Sequence, residues 1–246
     1  MSRKKRIAIL GANSSIAKSF LYSCAIEGNE FVLVARSVQD LKLIQDVLIQ
    51  RGALKVEIIE YDFLHLEEHQ NLINKIWISP VNQLLIAYGT LPDQARAKED
   101  QLYFLQQFEL NAVSILVFLQ ILQSKFESQC YGTLAVITSV AADRGKGSNY
   151  LYGSAKAAVS VYLEGMRCAL DSHGIHVLEI KPGFVDTPMT ESFRKNFLWA
   201  TPEYVGKKIV LALQRKKNIV YIPWFWRWIM FVIKWIPTPI FKKMKM

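Results

Sequence analysis

Between Ser139 and Lys156 the chain reads SVAADRGKGSNYLYGSAK. A serine closing an apolar run is followed by a polar loop, then by Tyr152-x-x-x-Lys156 opening a stretch of small residues. On a helix, residues four apart lie one turn above the other, so the phenol and the ammonium share a face. A nearby positive charge favours tyrosinate and lowers a phenol pKa that starts near ~10, which suits proton transfer near neutrality. Interconversion of a carbonyl and an alcohol needs such a group. Taken singly, Ser139 also suits a strand-end turn and Tyr152 a core aromatic at a helix start. Their joint spacing with Lys156 favours the chemical reading.

The elements that must hold these residues alternate along the chain. Short β-branched runs at 7–10, 31–35, 56–61, 84–88, 134–138, 177–180 and 219–222 read as strands. Helical patterns at 15–27, 41–50, 66–76, 101–126, 152–171 and 202–214 separate them. This alternation predicts an α/β fold: a single doubly wound, Rossmann-like, seven-stranded parallel sheet. Residues 1–222 form that domain in this reading, and 223–246 a C-terminal amphipathic helical tail. With 246 residues and 51% hydrophobic composition, the chain is long enough for one large core. No internal repeat or linker divides it.

Cys24, Cys130 and Cys168 have no paired spacing and read as buried small hydrophobes in a reducing compartment. His65 and His69 have helical i, i+4 spacing without an apparent third ligand, so we expect a polar helix face and no metal. The net charge of +9 is uneven: from Tyr204 onward there are ten Lys or Arg and no Asp or Glu. The basic SRKKR start precedes only four apolar residues before Gly11, which argues against a secretory signal.

The first strand ends in Gly11-Ala12-Asn13-Ser14-Ser15-Ile16-Ala17. A strand-to-helix turn of this kind presents backbone amides and a helix N-terminus, which together favour a pyrophosphate. Alone, such a turn is common in proteins that bind no nucleotide. Upstream of the Tyr/Lys pair it gains weight.

Over residues 6–222 the sequence resembles the short-chain dehydrogenases/reductases. The resemblance is carried by GANSSIA, by Ser139 with Tyr152 and Lys156, and by Pro182-Gly183-Phe184-Val185-Asp186-Thr187. It implies a catalytic set of Asn111, Ser139, Tyr152 and Lys156. Tyr152 would donate the proton, Ser139 would orient the substrate oxygen, and Lys156 would hold the nicotinamide ribose and lower the tyrosine pKa. Asn111 would support a water-linked proton path behind Lys156. The implied dinucleotide contacts are Gly11, Asn13, Ser14, Ser15 and Ile16 at the first turn, Asp62, Ala87 and Gly89 at later strand ends, Tyr152 and Lys156, and then Pro182, Gly183, Val185 and Thr187. Two positions depart from the family pattern: only Gly11 remains of three turn glycines, and Ile86-Ala87-Tyr88-Gly89 replaces Asn-Asn-Ala-Gly.

At the end of the second strand, an NAD site normally carries an acid for the ribose hydroxyls, whereas a 2′-phosphate calls for a cation. Here stand Arg36 and Ser37, with no acid before Asp40. A planar guanidinium and a hydroxyl suit the phosphate, so NADP(H) is the expected cofactor.

The segment 184–200 occupies the place of a substrate lid, with Met189, Phe193, Phe197, Leu198 and Trp199 beside Arg194 and Lys195. It suits either a greasy substrate bearing a phosphate or simple packing on the body. The tail, Pro223 through Pro237, contains four of the six tryptophans. Its prolines are too close together for a span of about 20 residues. Arg227 and Lys234 share one stripe, and the rest is aromatic and aliphatic, as in a helix lying in a membrane interface. Lys242, Lys243 and Lys245 would face anionic lipid. Burial against a second subunit is the rival reading, and nucleic acid is disfavoured by the apolar content. The expected location is therefore cytoplasmic, peripherally attached to the inner face of the membrane. GANSSIA, YGSAK, PGFVDTPM and the WFWRWIM tail are also similar to bacterial reductases of polyprenyl-phosphate-linked 2-keto pentoses, such as decaprenylphosphoryl-2-keto-erythro-pentose. That resemblance implies a lipid-linked keto-sugar in cell-envelope glycan synthesis. Competing readings are a reductase of another lipophilic carbonyl, steroid or acyl chain, and a non-catalytic NADP-binding sensor.

Overall fold

The structure is a computed structural model that describes residues 4–25 and 28–244. The end of the first expected helix, at 26–27, and Lys245 lie outside the described residues. Seven strands, β1 (Arg6–Leu10), β2 (Glu30–Ala35), β3 (Lys55–Glu60), β4 (Gln83–Ile86), β5 (Gly132–Ile137), β6 (Ile175–Pro182) and β9 (Ile219–Ile222), form the main sheet. Their order is β3-β2-β1-β4-β5-β6-β9, and every pairing is parallel. A second, two-stranded parallel sheet joins β7 (Phe184–Val185) to β8 (Trp199–Ala200).

Strand alternation assigns the core to two faces. In β1, Ile7 and Ile9 belong to one cluster and Ala8 and Leu10 to the other, as a period of two requires. The first cluster is closed by α1 (Ser15–Cys24), α2 (Val38–Gln50) and α8 (Pro202–Gln214). The second is closed by α3 (His69–Ile76), α6 (Ser114–Gln129) and α7 (Tyr150–Asp171). Helices therefore cover both faces, and the central strands β1, β2 and β4 are almost wholly buried, whereas the edge strands β3 and β9 are partly exposed.

The expected helix at 101–126 is present but composite. It comprises α5 (Gln101–Phe108), a π-helical turn over Glu109–Val113, and α6. The run Gln101–Gln129 has the length and apolarity to cross a membrane. Ile115, Phe118, Leu119, Leu122 and Phe126 of α6 are buried against the sheet, whereas Leu102, Phe104 and Leu105 of α5 are exposed. A short α4 (Gln94–Glu99), the β7/β8 pair and α10 (Thr238–Phe241) are additions to the sequence expectation.

Two expectations are corrected. His69 is not on a polar helix face: it is fully buried and stacked on Phe118. Its ring nitrogens pair with the Tyr61 hydroxyl at 2.6 Å and Ser114 Oγ at 3.1 Å. Burial lowers its pKa to about 4, so the ring stays neutral as a structural hydrogen-bonding group. No cluster of metal-ligating side chains occurs among the described residues. Of the cysteines only Cys24 is buried; Cys130 and Cys168 are exposed, and none forms a disulfide.

The tail begins directly after β9 as α9 (Trp226–Trp235) and packs one face on the body. Trp226, Met230 and Ile233 are buried with Val140, which follows the candidate catalytic serine. The Trp226 indole occupies the space where any side chain at position 183 would stand. The opposite face carries Trp228, Phe231, Val232 and Trp235, all exposed.

Candidate active site

The carboxyl ends of β1, β2, β4, β5 and β6 open on one cavity of about 610 Å³. Every proposed catalytic and dinucleotide residue lines it except Asn111, which lies one layer behind. The convergence follows from topology, since parallel strands deliver all their following loops to the same edge.

The first turn is shaped by Gly11, with φ +90 and a Cβ position that would strike the Tyr88 backbone. Tyr88 is the residue that departs from the family pattern, and it is built into the second core. It stacks on Phe63 at 3.9 Å and bonds Ser114 Oγ at 2.9 Å. The adjoining Ser14 N-cap of α1 makes no side-chain capping bond and the first turn holds no acid. Those helix amides therefore face the cavity without an internal partner. Asn13 leaves a buried Oδ1 unpaired, while its Nδ2 donates to Asp40 Oδ2 at 3.4 Å. Arg36 is exposed at the cavity rim, with no carboxylate partner among the described residues. Asp62 lines the cavity and also accepts from the Leu64 amide at 3.1 Å, so it serves its own turn as well. These groups fit a dinucleotide: orphaned amides and an amide oxygen where phosphates and sugar would lie, and a free guanidinium at the end of β2.

Lys156 lies deep in the cavity wall, 3% exposed. Its Nζ donates to the Ile137 carbonyl at 3.4 Å and lies 5.8 Å from the centre of the Tyr152 ring. Gly89, at φ +147, lets the backbone pass close by, since a Cβ there would meet Asn111 Oδ1 and Lys156 Nζ. Asn111 sits inside the π turn, a distortion that recurs at functional sites. Its Oδ1 accepts from Thr90 N at 3.0 Å, and its Nδ2 donates to Gln107 O at 3.0 Å and to Thr90 Oγ1 at 3.1 Å. The amide is thus fixed in orientation behind Lys156.

Ser139 Oγ accepts from the Ala141 amide at 3.1 Å, which starts a short 3-10 turn, Val140–Ala142. Burial pushes the Tyr152 phenol up to about 12, against a smaller opposing effect of its hydrogen bond with Ser139. This overturns the expectation that Lys156 holds the phenol below its ordinary value. The same burial lowers the Lys156 ammonium to about 8. At neutral pH the site therefore holds a protonated phenol, the form that donates, beside a charged lysine.

The loop between them is held from two directions that sequence reading missed. Asp143 accepts from Lys181 Nζ at 2.6 Å and from the Tyr221 hydroxyl at 2.8 Å. Arg144 donates to the carbonyls of Ile233, Lys234 and Ile236 at the end of α9, and its guanidinium lies 3.8 Å over the Phe241 ring. Charged Glu179 and Lys181, two apart within an apolar strand, were the available signal for the first. The second spans 89 residues to Ile233 and has no local signature. The lid expectation changes too. Met189, Phe193 and Trp199 line the cavity, but Arg194 and Lys195 do not. Lys195 pairs with Asp186 at 2.6 Å on the surface.

Because Lys156 loses its charge as pH rises through about 8, its support for the tyrosinate left after proton donation disappears there. Turnover in the carbonyl-reducing direction is expected to be flat on the acid side and to fall by about tenfold per pH unit above that value. A pH–rate profile that rises across the same range would contradict the assignment.

Comparison with known proteins identifies the family. The family model described as short chain dehydrogenase matches residues 5–197. An uncharacterized oxidoreductase of Mycobacterium tuberculosis is 31% identical, covering 97% of this chain and 96% of its own. Among solved structures, a short-chain dehydrogenase from Sphingobium yanoikuyae in complex with NADPH superposes with a TM-score of 0.83. It is 16% identical and the match covers 98% of this chain and 96% of that one. A bulky-bulky ketone specific alcohol dehydrogenase from Comamonas testosteroni gives a TM-score of 0.80 at 18% identity, with 95% of each chain covered. The chain thus belongs to the short-chain dehydrogenase family and is an oxidoreductase acting on CH–OH and C=O groups.

Proposed function

We propose that this protein is an NADPH-dependent reductase of a ketone on a lipophilic substrate taken at a membrane surface. Its finer form is a keto-sugar on a polyprenyl phosphate or similar carrier, at the inner face of the membrane in cell-envelope glycan synthesis. The observation that carries the reading is the continuity of cavity rim and tail. Phe184 and Trp199 line the cavity and stack 5.2 Å apart, and Phe184 meets Trp226 edge-on at 5.2 Å. Trp226 is the inner face of a helix whose outer face exposes Trp228 at 61% and Trp235 at 75%, beside Arg227 and Lys234. An aromatic face flanked by cations suits the headgroup region of a bilayer, and it would seat the cavity mouth there.

NADPH, when bound, supplies the hydride that adds to the carbonyl carbon. The α1 amides with Asn13 to Ile16 would hold its pyrophosphate, and Arg36 with Ser37 its 2′-phosphate. Tyr152 Oη gives its proton to the carbonyl oxygen as negative charge develops there. Ser139 Oγ orients that oxygen by donating a hydrogen bond. Lys156 stabilises the resulting tyrosinate and, with Thr187 and the Pro182-Gly183-Phe184-Val185 backbone, positions the nicotinamide end. Asn111, locked behind Lys156, supports return of a proton to the site. A neutral bulky ketone is the second reading, favoured by the apolar wall of Leu91, Leu110, Val140 and Met189 and by the likeness to the Comamonas enzyme's fold.

Two measurements address this. Arg36→Gln should lower kcat/KM for NADPH by about tenfold or more while sparing NADH, since a charged hydrogen bond is worth about 1.5–3 kcal/mol. Equal losses with both cofactors would remove the 2′-phosphate role. In flotation with mixed anionic and zwitterionic vesicles, the wild-type protein should rise with the lipid. The triple variant Trp228→Ser, Phe231→Ser, Trp235→Ser should stay behind, with activity on a water-soluble ketone retained. A variant that floats normally contradicts the membrane face, and a wild-type dimer that this variant splits would favour a second copy as its occupant.

A further inference from the structure

The polar groups lining the cavity do not balance within the protein. Three cations face it: Arg36, Lys146 and Lys156. Its two carboxylates, Asp40 and Asp62, are hydrogen-bonded to Asn13 and to the Leu64 amide. Arg36 stands at the β2 end, where the dinucleotide's ribose would lie, and Lys156 donates to Ile137 O. Lys146 remains, with no carboxylate or hydrogen-bond acceptor on its ammonium among the described residues. It lies between Ser139 and Tyr152 in sequence, hence in the loop that borders the reacting carbonyl.

That loop is fixed at both ends. Asp143 is held by Lys181 and Tyr221, and Arg144 by the last carbonyls of α9. At the other end the Asn149 amide closes a turn on the Lys146 carbonyl at 3.3 Å, just before α7. Gly145 and Gly147 flank Lys146 with open space where side chains would project. Asn149 also lines the cavity; its buried, unpaired Oδ1 is an acceptor and awaits a donor, so the counter-charge for an anion falls to Lys146 alone. An unpaired ammonium on an anchored loop is costly to desolvate unless a ligand supplies the counter-charge. Burial lowers the pKa of Lys146, as expected of a cation partly withdrawn from water and left unpaired.

We propose that Lys146 forms an oxyanion subsite on the substrate side of the cavity. The substrate class is then a ketone whose apolar body carries a phosphate or a chemically similar anionic ester. This rests on the reductase reading and deepens it: the cation that selects the substrate sits in the catalytic loop and not in the lid, where Lys195 is spent on Asp186. A neutral ketone in the cavity leaves Lys146 unpaired, so discrimination against it arises from one residue.

The test uses the whole protein saturated with NADPH, so that the dinucleotide sites are filled. Calorimetric titration compares octyl phosphate, kept below its micelle concentration, with octanol. The wild-type protein should bind the phosphate about tenfold more tightly. Lys146→Met should lose that preference, Lys146→Arg should keep it, and Lys195→Met should leave it unchanged. A kinetic arm compares a keto-alkyl phosphate with its neutral dimethyl ester by NADPH oxidation, where Lys146→Met should erase the difference in kcat/KM. Equal binding of the two octyl probes by the wild-type protein, or an undiminished preference in Lys146→Met, would overturn the subsite. Phosphate-selective binding that needs Lys146, without oxidation of NADPH by any ketone, would sustain the subsite and fail the reductase reading.

Discussion

The site depends on a lysine removed from water with no counter-ion among the described residues. Lys156 is 3% exposed, and its ammonium donates to one strand-end carbonyl, Ile137 O, at 3.4 Å. Withdrawing an ammonium from water costs several kcal/mol if it is left unpaired, and the fold answers with dipoles. The β5 end, the Gly89 backbone and the locked Asn111 amide surround it. The burial that lowers Lys156 to about 8 raises Tyr152 to about 12, so a single cause acts on the two groups in opposite senses. The result is a protonated donor beside a cation that gains by the donor's loss of its proton, a combination suited to carbonyl reduction.

The tail and the catalytic loop form one mechanical unit. Arg144, five residues after Ser139, caps the carbonyl end of α9 and lies over Phe241. Trp226 packs against Gly183 and Phe184 at the opposite side of the cavity mouth. Cations near a helix C-terminus are favoured by its dipole, so this contact stabilises both partners. Whatever covers the outer face of α9 therefore bears on the walls of the cavity through two direct contacts.

Much of this was legible in the sequence. The seven strands follow from apolar runs separated by helical periods, and the Ser139, Tyr152 and Lys156 spacing singles out three candidate groups that line one cavity. The misreadings have a common origin in long-range burial. His69 looks like a surface residue on a polar helix, yet Tyr61 and Ser114 draw it inside with both nitrogens satisfied. The depressed phenol pKa was inferred from a neighbouring charge, whereas desolvation, which depends on the whole surrounding wall, dominates. Lys195 looked available until Asp186 was found beside it, and Lys146 was hidden in a glycine-flanked loop whose orientation is set by residues 38 and more positions away. The π turn around Asn111 likewise has no period of its own in the sequence.

The most direct measurement is steady-state NADPH oxidation by Tyr152→Phe with a bulky ketone, alongside NADPH binding followed by nicotinamide fluorescence. If the buried phenol supplies the proton, turnover falls by about a hundredfold to ten-thousandfold while NADPH affinity stays within about twofold. Near-normal turnover in a folded, cofactor-binding Tyr152→Phe protein would contradict the central role given to this residue.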